Sequence, residues 1–157
     1  MSVDPQELRR VAGHFATGVT VVTAEHEGVT CGLTVNAFIT VSLDPPLVLV
    51  SIGTASRSLP CVSSAPRFGI SVLAEDQESI ARIFAGKDDD KLTRVPARRG
   101  QTGVPLLEGA IAWLECRSEQ RIAAGDHVLF LARVEGLGAG PGRPLLFFHG
   151  RYGRLAE

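Results

Sequence analysis

The stretch CGLTVNAFITVSLDPPLVLVSI, residues 31–52, decides the fold class, because nearly all of its residues are apolar or β-branched. This composition predicts β-strands on both sides of Asn36, the only asparagine in the chain. Asparagine is depleted in strands, because its side-chain amide competes for the hydrogen bonds of the backbone. Asn36 therefore marks either a turn between two strands or a side chain that binds a ligand.

Length and composition limit the number of domains and the classes of partner that the chain can have. A chain of 157 residues can bury one substantial core, so we expect a single domain over residues 1–157. Apolar residues make up 45% of the chain and the mean hydropathy is +0.16, which favours burial of apolar surface against another subunit. The net charge of −1 favours neither nucleic acid nor an anionic membrane as a partner.

The cysteines and histidines give no sign of a metal site. Cys31, Cys61 and Cys116 are an odd number without CxxC spacing, which predicts reduced, buried thiols rather than disulfides or zinc ligands. The four histidines show no ligand spacing with the cysteines or with one another.

The first ten residues lack the apolar core of a signal peptide, and no apolar run is long enough for a transmembrane helix. We therefore expect a cytoplasmic protein.

The remaining pattern consists of short strands and two helices. DPQELRRVAGHF predicts a helix with Asp4 as its cap and Glu7 in a capping box, and AEDQESIARIFAG predicts a second helix. Strands are predicted in GVTVVTAEHEGVTCGLTV (two, with a turn at 25–28), FITVSL, LVLVSI, RFGISVL, a hairpin pair that turns at Gly125-Asp126, and PLLFFHGRYGRL as one last strand. Residues 86–105 predict a long exposed connection. Without a βαβ rhythm, the pattern favours a closed or nearly closed β-barrel.

The first candidate site is GLTVNAF, residues 32–38. In a strand, Thr34 and Asn36 would lie on one face, because side chains alternate. Their hydroxyl and amide groups, with backbone amides, match the alternating donors and acceptors along the edge of a planar heterocycle. The alternative is a polar strand edge with Asn36 in a turn.

The second candidate is SIGTASRSLP, residues 51–60, directly after a predicted strand. Ser56, Arg57 and Ser58 supply hydroxyls and a guanidinium, and Gly53 frees the backbone. These groups at a strand-to-helix turn suit a phosphate. The alternative is an ordinary Ser- and Thr-rich helix cap.

The third candidate is GDH, residues 125–127, at a tight turn that enters a strand. His127 could pack against or hydrogen-bond a ring at the mouth of a pocket, or it could be a structural histidine of the turn. The chain has no GxGxxG after a strand, no P-loop and no GxSxG motif. A bound cofactor would therefore carry the chemistry better than the side chains alone.

Taken together and in order, these segments resemble the flavin reductase family, which has the FMN-binding split-barrel fold. The resemblance covers nearly the whole chain: FATGVTVVTA at 15–24, GLTVNAFITVSLDPPLVLVSI at 32–52, SRS at 56–58, FGISVLAEDQ at 68–77, GDH, and the final PLLFFHGRYGRL. It implies a mostly β, Greek-key-like split barrel with a few short helices. Ala37 departs from the family pattern, which usually has serine there. The lost hydroxyl would loosen flavin binding or shift the preference between FMN and FAD.

The resemblance also implies an activity, partners and residue roles. The family's enzymes use NADH or NADPH to reduce FMN or FAD, and many pass the reduced flavin to a separate flavin-dependent monooxygenase or halogenase. It further implies a homodimer with the flavin site near the subunit interface. His127 is the implied catalytic residue, positioning the nicotinamide. The implied cofactor-binding residues are Gly32, Leu33, Thr34, Val35, Asn36, Ala37, Ser51, Ile52, Gly53, Ser56, Arg57, Ser58, Phe84, Asp126, His127, His149 and Tyr152.

Two other functions are compatible with the same barrel. One is an oxidase that retains its flavin and acts on a dedicated substrate. The other is a non-enzymatic flavin- or haem-binding protein that acts as a carrier or sensor.

Overall fold

The computed structural model describes residues 1–157 and is mostly β. The helices are α1 (Pro5–Ala12), α2 (Leu59–Ser64), α3 (Glu78–Ala85) and a 3₁₀ helix at Lys91–Arg94. The strands are β1 (Thr17–Gly18), β2 (Thr20–His26), β3 (Val29–Val35), β4 (Phe38–Leu43), β5 (Pro46–Gly53), β6 (Arg67–Val72), β7 (Ala97–Arg99), β8 (Pro105–Leu107), β9 (Ala112–Ala124), β10 (His127–Ala139), β11 (Leu146–Phe148) and β12 (Arg151–Gly153).

Seven of these strands form one antiparallel sheet in the order β3-β2-β6-β9-β10-β5-β4. The two edge strands, β3 and β4, follow each other in the chain and are joined only by Asn36 and Ala37. A sheet whose opposite edges are joined by two residues must curl until those edges meet. The result is a barrel split between β3 and β4, which confirms the nearly closed barrel that the sequence pattern favoured and the split barrel that the family resemblance implied.

Two apolar clusters stabilise this sheet. The larger fills the barrel and includes Val50, Phe68 and Phe130, with the two phenylalanine rings edge-to-face at 6.3 Å. The smaller lies between the sheet and α3. Val22 of β2 belongs to the first cluster and Val21 to the second, because successive strand residues point to opposite faces. Burial on both faces explains why β2 carries apolar residues at the successive positions Val21 and Val22.

Helix α1 begins where the sequence predicted, but its apolar face has no partner within the chain. The Asp4 side chain accepts a hydrogen bond from the Gln6 N–H at 3.0 Å. The predicted capping box does not form, because Glu7 pairs with Arg10 instead. The helix buries no residue, and Leu8 is 60% exposed.

Three local predictions were wrong. Residues 86–105 are not wholly exposed, because the 3₁₀ helix turns the chain inward and buries Lys91. PLLFFHGRYGRL forms two short strands rather than one, because His149 and Gly150 adopt positive φ angles of 53° and 77° and reverse the chain. The number of α-helices is three instead of two, because α2 follows residues 51–58, where the sequence indicated a strand-to-helix turn.

The prediction of three reduced cysteines was also wrong. Cys31 of β3 and Cys61 of α2 form a disulfide, with their Cα atoms 6.3 Å apart. Thirty residues separate them in sequence, so only the packing of α2 against β3 brings them together. Cys116 remains a free, buried thiol, and burial raises its pKa to about 12, helped by the negative charges of Glu115 and Glu135.

None of the helices has the length and apolar character needed to cross a bilayer.

Candidate functional site

A continuous groove runs along β3 to the point where the barrel is split. Its parts are three cavities of about 620, 150 and 320 Å³. The first and second share Asn36 and Phe147 as lining residues, and the second and third share Thr34 and Ala85. One elongated ligand could therefore occupy all three cavities.

The middle of the groove is formed by the predicted polar pair. Thr34 and Asn36 line the same cavity, as expected for residues two apart, although Asn36 lies just beyond the end of β3. The Thr34 hydroxyl donates to the Ala81 carbonyl of α3 at 2.6 Å, whereas Asn36 is exposed. The lone asparagine therefore lies in the two-residue connection between β3 and β4 and lines the groove, and its binding of a ligand stays a prediction.

One end of the groove is positively charged. It is lined by Ser56, Arg57, Lys87 and Lys91. The Arg57 guanidinium donates to the Lys87 carbonyl at 2.8 Å, which ties the loop before α2 to the loop after α3. Guanidinium and ammonium groups of this kind can bind an anionic group of a ligand, here next to the acidic run Asp88, Asp89 and Asp90.

Lys91 is the residue of this end that the sequence did not single out. Its ammonium donates to the carbonyls of Gly32 and Phe84 at 3.1 and 3.2 Å. Burial lowers the pKa of Lys91, opposed by the charges of Asp88 and Asp89. The only available signal was composition, because Lys91 is one of just two lysines among 16 basic residues.

Gly32 is the point where three elements meet. Its carbonyl accepts from the Ser58 hydroxyl at 2.9 Å as well as from Lys91. A Cβ atom on Gly32 would lie 2.6 Å from the Phe84 ring, so only glycine lets α3 pack this closely on β3. Ser58 is buried, and its hydroxyl is already committed to this contact.

His127 begins β10 directly after the turn at Gly125, whose φ is 61°. Its Nδ1 atom is 2.7 Å from an Asp126 carboxylate oxygen, and this hydrogen bond lowers the pKa of Asp126. The Asp126 carbonyl also accepts from the Thr54 N–H at 2.8 Å. Because Asp126 engages Nδ1, the Nε2 atom is left for another partner.

The C-terminal strands close one side of the groove. Phe147 and Tyr152 pack with ring centroids 5.3 Å apart, and the Arg82 guanidinium lies 5.1 Å from the Tyr152 ring centre. The His149 ring instead packs on the His14 ring, with the ring centroids 4.7 Å apart, and the backbone N–H of His149 donates to the Gly13 carbonyl. His149 thus joins these strands to the end of α1.

The structure brings together about half of the residues named from the sequence. The following residues line the groove: Leu33, Thr34, Asn36, Ala37, Ser51, Ser56, Arg57, Phe84 and Tyr152, although the Leu33 side chain belongs to the barrel core. Val35 and Ile52 point into the barrel core. Gly53 lies two residues after Ser51 in β5, and it pairs there with His127 of the neighbouring strand β10. Arg9, Phe15 and Phe147 also line the groove, and the sequence pattern did not single them out.

Comparison with known proteins finds relatives along nearly the whole chain. Residues 12–156 match the model of the flavin reductase like domain. A probable flavin reductase of Rhizobium meliloti is 46% identical over 83% of the chain, which spans only 42% of that protein. An NADH-dependent flavin reductase of Rhodococcus is 45% identical over 98% of the chain and 88% of its own length. The solved flavin reductase component of a bacterial two-component tryptophan halogenase is 36% identical, with a TM-score of 0.90 over 98% of this chain and 99% of that one.

Proposed function

The chain belongs to the family of flavin reductase-like domains, and from this premise we propose that it reduces free FMN or FAD with NADH or NADPH. The reduced flavin then passes to a separate flavin-dependent monooxygenase or halogenase. The observation that carries the proposal is the groove itself, which combines an amide and hydroxyl edge at Thr34 and Asn36 with a cationic end at Arg57. A flavin nucleotide has the matching shape, a flat polar ring at one end and a phosphate at the other.

We assign the residues of the groove to the ring or to the phosphate of the flavin according to this shape. Thr34, Asn36, Ala37 and Ser51 face the ring, and Ser56, Arg57 and Ser58 form the phosphate end, with Lys91 behind them. Ser58 acts there through its backbone and through the shape it gives the loop, because its hydroxyl is bonded to Gly32. The remaining contacts are proposed for Gly32, Leu33, Val35, Ile52, Gly53, Phe84, Asp126, His127, His149 and Tyr152.

The chemistry requires little from the protein beyond orientation. A bound flavin supplies the ring that accepts a hydride from the nicotinamide. The groove must hold two planar rings in contact, and no strong acid or base is needed for hydride transfer itself. His127, fixed through Nδ1 by Asp126, orients the nicotinamide through packing and one hydrogen bond.

We further propose that the chain, acting as one domain in the cytoplasm, is a homodimer. Its exposed apolar side chains are concentrated on α1, the segment after it and β4, where Leu43 is 87% exposed. Phe15 and Ile39 are 79% and 57% exposed, and both also line the groove. A second subunit that covered this apolar face would also border the flavin site, where it would exclude water.

The experiment that tests the function follows NADH oxidation with a catalytic amount of protein and excess free flavin. Turnover many times the protein concentration supports the reductase. Bleaching of one equivalent of bound flavin would indicate an oxidase that retains its cofactor, and no reaction would indicate a binding protein. Repeating the assay with FMN, FAD, NADH and NADPH identifies the preferred pair.

A further inference from the structure

The disulfide between Cys31 and Cys61 joins the two ends of a chain segment that lines much of the groove. Cys31 directly precedes Gly32, and Cys61 follows Ser58 by three residues in the first turn of α2. The chain between the two cysteines contains Thr34, Asn36, Ala37, Ser51, Ser56 and Arg57, all of which line the groove. The disulfide and the hydrogen bond from Ser58 to Gly32 therefore both link β3 to the start of α2.

The two cysteines of the disulfide are accessible to solvent, unlike the third cysteine. Cys31 and Cys61 are both partly exposed, whereas Cys116 is fully buried. Partly exposed cysteines exchange with small oxidants and thiols, and buried thiols are inert. A disulfide in a protein of the cytoplasm, the location proposed above, is typically transient and redox-responsive rather than structural.

We propose that Cys31 and Cys61 form a reversible redox site that sets the affinity of the groove for flavin. The proposal rests on the proposed function, because it takes flavin to be the ligand. In the disulfide state the loop from Ser56 to Ser58 is held against β3, so a flavin meets a preformed phosphate end. In the dithiol state the loop is held by the hydrogen bonds from Ser58 to Gly32 and from Arg57 to Lys87 without the covalent link, so binding must order it more.

The oxidant is hydrogen peroxide, which arises when reduced flavin meets dioxygen instead of a partner enzyme. One thiolate attacks a peroxide oxygen, the O–O bond breaks, and a sulfenic acid and water form. The second thiol attacks the sulfenic sulfur, forms the S–S bond and releases a second water, so that two electrons pass from the sulfurs to peroxide. A dithiol reductant reverses the step through a mixed disulfide and is itself oxidised to a disulfide.

The test compares the two states of the same protein. The full chain is treated either with hydrogen peroxide or with a phosphine reductant, each is removed, and thiols are counted by alkylation under denaturing conditions. We expect one alkylated cysteine in the oxidised protein and three in the reduced protein. The dissociation constant of FAD, measured by fluorescence quenching without NADH, should rise roughly three- to tenfold on reduction.

Two variants make the result specific. Cys116→Ser should keep the full redox-dependent shift, and the double variant Cys31→Ser with Cys61→Ser should bind FAD like the reduced wild type after either treatment. An unchanged thiol count after peroxide, or equal FAD affinity in the two states, would overturn the proposal. Steady-state NADH oxidation is measured separately, so that a lack of turnover in both states rejects the reductase function while the affinities still decide the redox site.

Discussion

The Ser58 hydroxyl donates a 2.9 Å hydrogen bond to the Gly32 carbonyl, although 26 residues separate the two in sequence. The same carbonyl accepts from the Lys91 ammonium at 3.1 Å. Strand β3, the loop before α2 and the 3₁₀ helix are thus held together at one backbone atom. Because the groove is lined by all three, changes near Gly32 should affect folding and ligand binding together.

Replacing Gly32 with alanine should therefore destabilise the protein and weaken flavin binding. The new Cβ would lie 2.6 Å from the Phe84 ring, so α3 or β3 must shift, and overpacking of this kind costs about 1–3 kcal/mol. Urea unfolding and FAD titration measure the two effects. Gly18→Ala is the matched control, because a Cβ there meets nothing within 4 Å. Equal stability of both variants and the wild type would contradict the packing argument.

Arg57→Ala should weaken the binding of FMN and FAD by about 1.5–3 kcal/mol, the range for a hydrogen bond to a charged group. Riboflavin, which lacks the phosphate, should lose far less. Equilibrium titrations of the three flavins provide the measurement. Arg94→Ala is the control, because Arg94 pairs with Asp88 at 2.7 Å outside the groove lining. An equal loss for all three flavins would mean that Arg57 acts only through the loop it holds at Lys87.

The strands and the site were predictable from the sequence to different extents. Hairpins such as β9–β10 follow from local alternation and a glycine turn, and the sequence predicted them. The burial of Lys91 and the Cys31–Cys61 disulfide depend on contacts between segments 59 and 30 residues apart, and neither charge nor spacing reveals them. Asn36 lies between these cases. As the only asparagine within a strand-like stretch it marked the end of a strand, but only the closure of the sheet made it part of a groove.

Ile39→Glu should convert a dimer into a monomer at micromolar concentration. Ile39 lies on the edge strand β4 and is 57% exposed, so a second subunit that covers it would have to bury the new carboxylate. Light scattering measures the mass of the wild type and the variant. Val29→Glu serves as the control, because Val29 is 65% exposed on the opposite edge strand. A monomeric wild type with full activity would reject the homodimer.

The buried thiol of Cys116 should make the protein lose stability in alkaline solution. Its pKa is about 12 in the folded protein against an ordinary 9.0, so the unfolded chain loses this proton first as the pH rises. The folded state then binds more protons than the unfolded state, and the free energy of unfolding falls from about pH 9 towards pH 12. Between pH 8 and pH 10 the wild type should lose roughly 1 kcal/mol more than Cys116→Ala, because one pKa unit is worth about 1.4 kcal/mol. Parallel losses in urea unfolding would rule out this contribution.

His127→Ala should impair the reaction with NADH and spare the affinity for flavin. A neutral ring that orients the nicotinamide by packing and one hydrogen bond contributes about 1–3 kcal/mol, or roughly a tenfold to hundredfold change in rate. Stopped-flow reduction of the flavin-saturated variant by NADH measures this step directly. His26→Ala is the control, because His26 lies at the end of β2 and pairs with Val29, whereas His127 pairs with Gly53, two residues after the groove residue Ser51.

The pH profile separates orientation by His127 from acid catalysis. An obligatory histidine acid would give a rate that falls as the pH rises through the range in which histidines titrate, about pH 5 to 8. Hydrogen bonding from His127 holds the pKa of Asp126 below its usual range, so this carboxylate stays ionised as an acceptor for Nδ1 throughout. Because hydride transfer leaves a flavin that can take its proton later from water, we expect a shallow profile. If the variant kept the wild-type rate and NADH dependence and lost only thermal stability, His127 would be a structural residue of the turn at Gly125.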